Sequence, residues 1–145
     1  MINNIIDQLK RDEGFRSEVY LDTVGKRTVG YGHNLDANPL PGVTFPISIV
    51  YAGQILGKDV ERISMSLVRA LPWVTTLDDA RFGVLQNMAF NMGVPGLLEF
   101  HHALADTQAG NYAQAAADMK ASKWYNEVGD RAVRLVKQMA TGQWV

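Results

Sequence analysis

The chain contains no cysteine, which excludes disulfides and thiolate metal sites and is compatible with folding in a reducing compartment. Histidine is nearly as scarce, with three residues, His33, His101 and His102. The last two are adjacent, so on a helix they point about 100° apart. Neither has a partner at the i+4 spacing of helical zinc motifs, and no metal or other cofactor is expected. Charge of one sign is missing as well: 14 basic and 15 acidic residues are interspersed, for a formal net charge of -1. A nucleic-acid-binding domain of this size carries a basic stripe, so that class of partner is disfavoured. The N-terminal segment reaches Asp7 after two short apolar pairs, Met1-Ile2 and Ile5-Ile6. That is neither a signal peptide nor a membrane anchor, and no membrane insertion is expected.

What is present is a globular composition, 47% hydrophobic and 20% charged over 145 residues, enough for one core that can split into two lobes. Ile5, Ile6 and Leu9 share one side of a short helix that Gly14 stops near Glu13. The negative end of that helix suits a carboxyl that acts as an acid. From Val19 to His33 the texture is β-branched and aromatic, broken by Thr23-Val24-Gly25-Lys26, which predicts a hairpin with Asp22 at a strand end. Gly30 and Gly32 leave bare backbone on one strand face, suited to the approach of a sugar chain or to tight packing. Three of the five prolines fall between Asn38 and Pro46, a loop. Ser48 is a candidate cap for a long helix to about Leu71, with Leu56, Val60, Ile63, Leu67 and Leu71 on one stripe and Pro72 as its stop. Helical periods continue over Leu77 to Gly93, Val94 to Leu104, Tyr112 to Ser122 and Asp130 to Ala140. The fold class expected is α+β in a single domain, 1–145. A small β-containing lobe (about 13–55) is joined by a connecting helix (48–71) to a mainly helical lobe (72–145 with the first helix, 1–13).

Glu13, Asp22 and Thr28 stand inside Asp12-Glu13-Gly14 … Tyr20-Leu21-Asp22-Thr23 … Thr28-Val29-Gly30-Tyr31-Gly32-His33. A proton-donating carboxyl, a second carboxyl and a hydroxyl able to hold a water are what cleavage of a glycosidic bond requires. A Glu, an Asp and a Thr at fixed offsets arise by chance in roughly 1–2% of chains of this composition. The flanking glycines and aromatics therefore carry the specificity.

With that surrounding pattern the chain resembles the phage-type lysozymes. The likeness continues through Asp59-Val60, Asn87-Met88-Ala89-Phe90-Asn91-Met92-Gly93, Ser122-Lys123-Trp124-Tyr125 and Arg131-Ala132, in the family's order, and is weakest over Asn34 to Ile47. The resemblance implies a lysozyme-like fold and hydrolysis of the β-1,4 bond between N-acetylmuramic acid and N-acetylglucosamine in peptidoglycan. Glu13 would be the general acid, and Asp22 and Thr28 would hold a water that attacks directly with inversion. It also implies a His33–Asp59 ion pair, an approach of Arg131 to Glu13, and substrate contacts from Gly32, Phe90 and Asn91. Trp124 and Tyr125 would belong to the core of the helical lobe. Three positions depart from the family pattern: Asn34 replaces a leucine, and His102 or Ala103, and Asp118, stand in place of hydroxyl and amide groups. Both Asn34 and Asp118 are counted among the substrate-binding residues. The implied setting is a monomeric endolysin, made in the host cytoplasm and acting on the periplasmic wall after a separate protein opens the membrane. A prophage remnant or a domain of a larger tail protein fits the same sequence. Two alternatives to hydrolysis are a lytic transglycosylase, which needs the acid but no positioned water, and a non-catalytic wall-binding module.

Overall fold

In the computed structural model, which describes residues 1–145, helix α1 (Ile5–Glu13) buries Gln8 and Leu9 and ends at Gly14. Gly14 adopts φ 69° and returns its N–H to the Lys10 carbonyl at 3.0 Å, a left-handed cap open to glycine at no steric cost. A three-stranded antiparallel sheet follows, β1 (Arg16–Leu21), β2 (Arg27–Gly30) and β3 (His33–Asn34), in that spatial order. Tyr20 pairs with Thr28, and Thr28 with Asn34. These three residues thus form one cross-strand row whose side chains share a face. A register shift between Arg16 and Tyr20 interrupts the outer strand.

Residues 6–62 form one unit and residues 1–5 with 63–145 the other. Residues 6–13, expected with the helical lobe, group with the sheet instead. Leu9 is fully buried, Lys10 lies over the Tyr31 ring at 5.8 Å, and Phe15 packs on Tyr31 at 5.7 Å. The long helix α2 (Ile49–Ala70) begins where the sequence predicts, with Ser48 Oγ accepting the Tyr51 N–H at 3.1 Å. Pro72 ends it and opens a 3₁₀ turn, Pro72–Thr76.

In the helical unit, α3 (Asp79–Leu98) is capped by Asp78, and α4 (His101–Gln108), α5 (Tyr112–Lys120), α6 (Lys123–Val128) and α7 (Asp130–Thr141) complete the chain. Gly93 breaks α3 as expected (φ 80°, ψ 156°), but the helix resumes only to Leu98, not to Leu104. The reason is tertiary: Phe100 leaves helical geometry and packs edge-on against Trp124 at 5.8 Å and 89°. Helix α6 was not expected. Ser122, read as the end of the preceding helix, caps this one by accepting the Tyr125 N–H at 3.3 Å. The core of the unit gathers Leu67, Val84, Leu85, Met88, Leu97, Met119, Leu135 and Met139, with Trp124 buried and Tyr125 packed against it, as the sequence implied.

Helix α7 and the residues after it are fastened to α3 by polar bonds and one aromatic contact. Gln138 donates to the Ala80 carbonyl at 2.7 Å and accepts from the Val145 N–H at 3.2 Å, while Arg81 Nε donates to the Met139 carbonyl at 2.8 Å. The Trp144 indole lies flush on Gly83, where a Cβ would come within 2.3 Å of the ring. Gly to Ala inside a helix ordinarily stabilises by about 1 kcal/mol. Here Gly83→Ala must expel the indole, so thermal denaturation should show a lower Tm and a loss of about 1–3 kcal/mol. A higher Tm would mean that the Trp144 contact contributes nothing.

Candidate active site

The hairpin turn after β1 is held by the side chain of Asp22. Its Oδ1 accepts the N–H groups of Val24 at 3.0 Å and Lys26 at 2.8 Å, while its own N–H donates to the Lys26 carbonyl at 2.9 Å. The same Lys26 carbonyl accepts the Thr28 hydroxyl at 3.0 Å. One peptide residue, Lys26, therefore orients both the carboxylate and the hydroxyl. Because the Thr28 proton is spent on Lys26, the lone pairs of Oγ1 remain to accept from a further donor such as water. Oδ2 of Asp22 has no bond to the turn. Asp22 is thus a turn-forming residue and, through its second oxygen, an acceptor still available to chemistry.

Glu13 lies against the other end of the sheet. A Cβ on Gly32 would stand 2.6 Å from Glu13 Oε2 and 2.8 Å from its carboxyl carbon, and Gly32 holds φ 68°. Glycine is required there on both counts: its missing side chain is the space that the Glu13 carboxyl occupies. Tyr20, which the sequence reading did not single out, links the two carboxyls electrostatically. Its phenol is raised above the usual tyrosine value first by burial, then by the negative charge of Glu13, with Arg16 opposing and Asp22 adding to the rise. It stays a protonated hydrogen-bond donor at neutral pH. Asn34, in the same row as Tyr20 and Thr28, has committed its side-chain oxygen to a turn, accepting the N–H groups of Asp36 at 3.0 Å and Ala37 at 3.1 Å. What it can offer a ligand is its amide nitrogen.

Three of the four candidate residues of the helical unit, Arg131, Asn91 and Asp118, are tied to another side chain of that unit. Arg131 Nε donates to Oδ1 of the fully buried Asn87 at 2.8 Å. Asn91 accepts weakly from the Trp124 indole at 3.4 Å. Phe90 is half-buried and stands apart from the residues packed on the core. Asp118 accepts from Gln114 at 2.9 Å. Its carboxyl also raises that of Asp106, chiefly through a hydrogen bond between the two, then through burial and like charge. Asn87 was legible only as part of a matched run; nothing local in the sequence marks it as the partner of Arg131.

His33 and Asp59 form the pair the resemblance implies, Nδ1 to Oδ2 at 2.7 Å, with both side chains 4% exposed. Nε2 faces the Asn38 carbonyl at 2.7 Å, and Arg62 donates to the second Asp59 oxygen at 2.9 Å. Both ring nitrogens thus face acceptors, an environment that only the doubly protonated imidazolium satisfies. Burial pushes the imidazole down, but the Asp59 hydrogen bond and charge, together with the Asn38 carbonyl, outweigh it and Arg62. The net shift is upward from 6.5. A raised folded-state value stabilises fully below the unfolded value and fades as pH rises through the folded one.

Two substitutions test this geometry. His33→Asn should cost about 3–5 kcal/mol in urea unfolding at pH 5, and the difference from the parent chain should shrink as pH rises through the folded-state value. A pH-independent difference would mean that the pair carries no ionic stabilisation. Gly32→Ala should displace the Glu13 carboxyl and slow any reaction that uses it about 10²-fold, while unfolding stays cooperative. An unchanged rate would separate Glu13 from the chemistry.

Comparison with known proteins matches this arrangement to a family. The phage lysozyme family model matches residues 10–140. The chain is 28% identical to Probable T4-type lysozyme 1 of Dictyostelium discoideum, over 98% of the chain and 96% of that protein. It is 29% identical to the pre-baseplate central spike protein Gp5 of Enterobacteria phage T4, over 96% of the chain but 28% of that longer protein. Peptidoglycan hydrolase gp36 of Pseudomonas phage phiKMV is 31% identical over 92% of the chain and 15% of its own length. With the family model spanning nearly all of its length, the chain belongs to the phage lysozyme family.

Proposed function

We propose that the chain is a peptidoglycan hydrolase, a muramidase that cleaves the β-1,4 bond between N-acetylmuramic acid and N-acetylglucosamine with inversion. The observation that carries this reading is the shared anchoring of Asp22 and Thr28 on Lys26. A water donating one hydrogen to Thr28 Oγ1 and the other to Asp22 Oδ2 turns a lone pair toward the anomeric carbon. Glu13 gives its proton to the departing glycosidic oxygen. As the C–O bond breaks, the water oxygen bonds to the anomeric carbon from the opposite face and its proton passes to Asp22. Exchange with solvent returns Glu13 to the acid form and Asp22 to the base form, so no cofactor is consumed. Phe90 offers an apolar face to a sugar ring, and Asn91, the Asn34 amide and Asp118 offer polar contacts to acetamido or peptide groups.

No helix is long and apolar enough to cross a membrane. In the biological setting proposed, a monomer made in the host cytoplasm reaches the wall through a lesion opened by another protein, and host lysis follows. A purified-protein turbidity assay on bacterial wall suspensions tests the chemistry. Glu13→Gln should lower the lysis rate by about 10²–10⁴-fold. Mass spectrometry of the digest should find reducing ends without anhydro-sugar ends, and early-time NMR should find the α anomer first. Anhydro ends would make the enzyme a lytic transglycosylase. Equal lysis by Glu13→Gln would remove Glu13 as the acid, and no lysis by the parent chain would leave a wall-binding module.

A further inference from the structure

Away from Glu13, Asp22 and Thr28, a cavity of about 390 Å³ opens between α2 and the loop that carries Asn38, Pro39 and Leu40, with the His33–Asp59 pair in its wall. Its volume is in the range of small-molecule sites. Tyr51, Gln54, Ile55, Lys58 and Arg62 line it from the helix side, spaced by three or four residues along one face of α2. The loop side is largely apolar, with Ala37, Pro39 and Leu40.

Charge in this recess is unbalanced. Asp59 is its one carboxylate, and both of its oxygens are already taken, Oδ2 by His33 and Oδ1 by Arg62. Arg62 spends one N–H there, keeps a side chain 44% exposed, and has four further donors in a planar fork. Lys58, one turn earlier, is exposed and makes no hydrogen bond or ion pair. A lysine and a guanidinium on adjacent turns, facing an apolar wall, present two cationic donors to the same space. A planar carboxylate is the anion that a guanidinium fork and an ammonium grip together. The apolar wall opposite and the Gln54 and Tyr51 side chains suit a short arm of small aliphatic residues and amide bonds behind that carboxylate.

We infer that this recess is a carboxylate-binding subsite that takes the free carboxyl end of a short peptide with small side chains. Such an end is carried by the peptide stems of a bacterial wall. The inference deepens the reading of the chain as a peptidoglycan hydrolase and rests on it for the source of the peptide, but the binding itself does not depend on catalysis. The subsite would hold the stem while the glycan strand is cut elsewhere. Lys58 and Arg62 would therefore set which stems, with free or amidated carboxyls, are favoured.

The test is binding of N-acetyl-D-alanyl-D-alanine to the whole chain, followed by amide NMR shifts and calorimetry, beside its C-terminal amide and inorganic phosphate. The free peptide should bind with shifts concentrated on Lys58, Arg62 and the 37–40 loop. The amide should bind at least tenfold more weakly, and so should phosphate. Lys58→Gln should weaken the free peptide at least tenfold and Lys58→Arg should restore it, with Tm unchanged in both because Lys58 has no partner to lose. No saturable binding, equal affinity for the amide, an equal response to phosphate, or an unaltered Lys58→Gln would each overturn the inference. Peptide binding by a chain that lyses no wall would leave the subsite standing and refute only the hydrolase reading. Lysis without peptide binding would do the reverse.

Discussion

The backbone of Lys26 holds together more of this site than any side chain does. Its N–H fixes one oxygen of Asp22, and its carbonyl takes both the Asp22 N–H and the Thr28 hydroxyl. A carboxylate and a hydroxyl, both candidates for the site, are thereby set by a single peptide residue, with no long side chain to wander between them. Their accuracy derives from the hairpin register, in which Tyr20, Thr28 and Asn34 share a row. A slip of one residue would turn the whole row to the other face. Glu13 joins the same framework through an absence. The missing side chain of Gly32 is the space its carboxyl fills, so the end of α1 and the turn between β2 and β3 meet where only glycine permits.

A second constraint supports the first. His33 follows Gly32, and its imidazole, buried between Asp59 and the Asn38 carbonyl, ties the end of the sheet to α2 and to the loop beyond it. Breaking a buried pair of this kind leaves an uncompensated charge, which is why such pairs resist removal of either partner. It also shapes the electrostatics of the neighbouring recess. Asp59 turns inward to serve His33 and Arg62, and the face of α2 is left with an unpartnered Lys58 beside the remaining N–H donors of Arg62. A chain of near-zero net charge can in this way hold a locally cationic pocket.

Local features were legible because their partners lie within a few residues. The Gly14 stop, the Ser48 cap, the Asp22 turn and the Pro72 terminus each follow from a side chain or a missing N–H acting on nearby backbone. The reading faltered where distant contacts competed with local period. Phe100 leaves the helical path to pack on Trp124, so the helix expected to reach Leu104 stops at Leu98. Ser122 satisfies the pattern of a helix end and of a helix start, and only the chain's return toward the core makes it the latter. The grouping of α1 with the sheet likewise depends on Lys10 and Phe15 finding Tyr31 and on the burial of Leu9.

The sequence by itself determined the α+β class, the family, the identity of Glu13, Asp22 and Thr28 as candidates, and the punctuation that ends most of the helices. These depend on residue type, spacing and short-range hydrogen bonds, all of which survive in a string of letters. Only the tertiary structure decided that Lys26 anchors two of the three candidates, that Gly32 makes room for the third, that Asn34 spends its oxygen on a turn, and that Lys58 lines a recess whose one carboxylate is already taken by His33 and Arg62. The physical reason is the same in each case. A peptide group, a missing Cβ and an unmatched charge have no sequence signature; they acquire meaning when packing brings another part of the chain within bonding distance, or leaves it out.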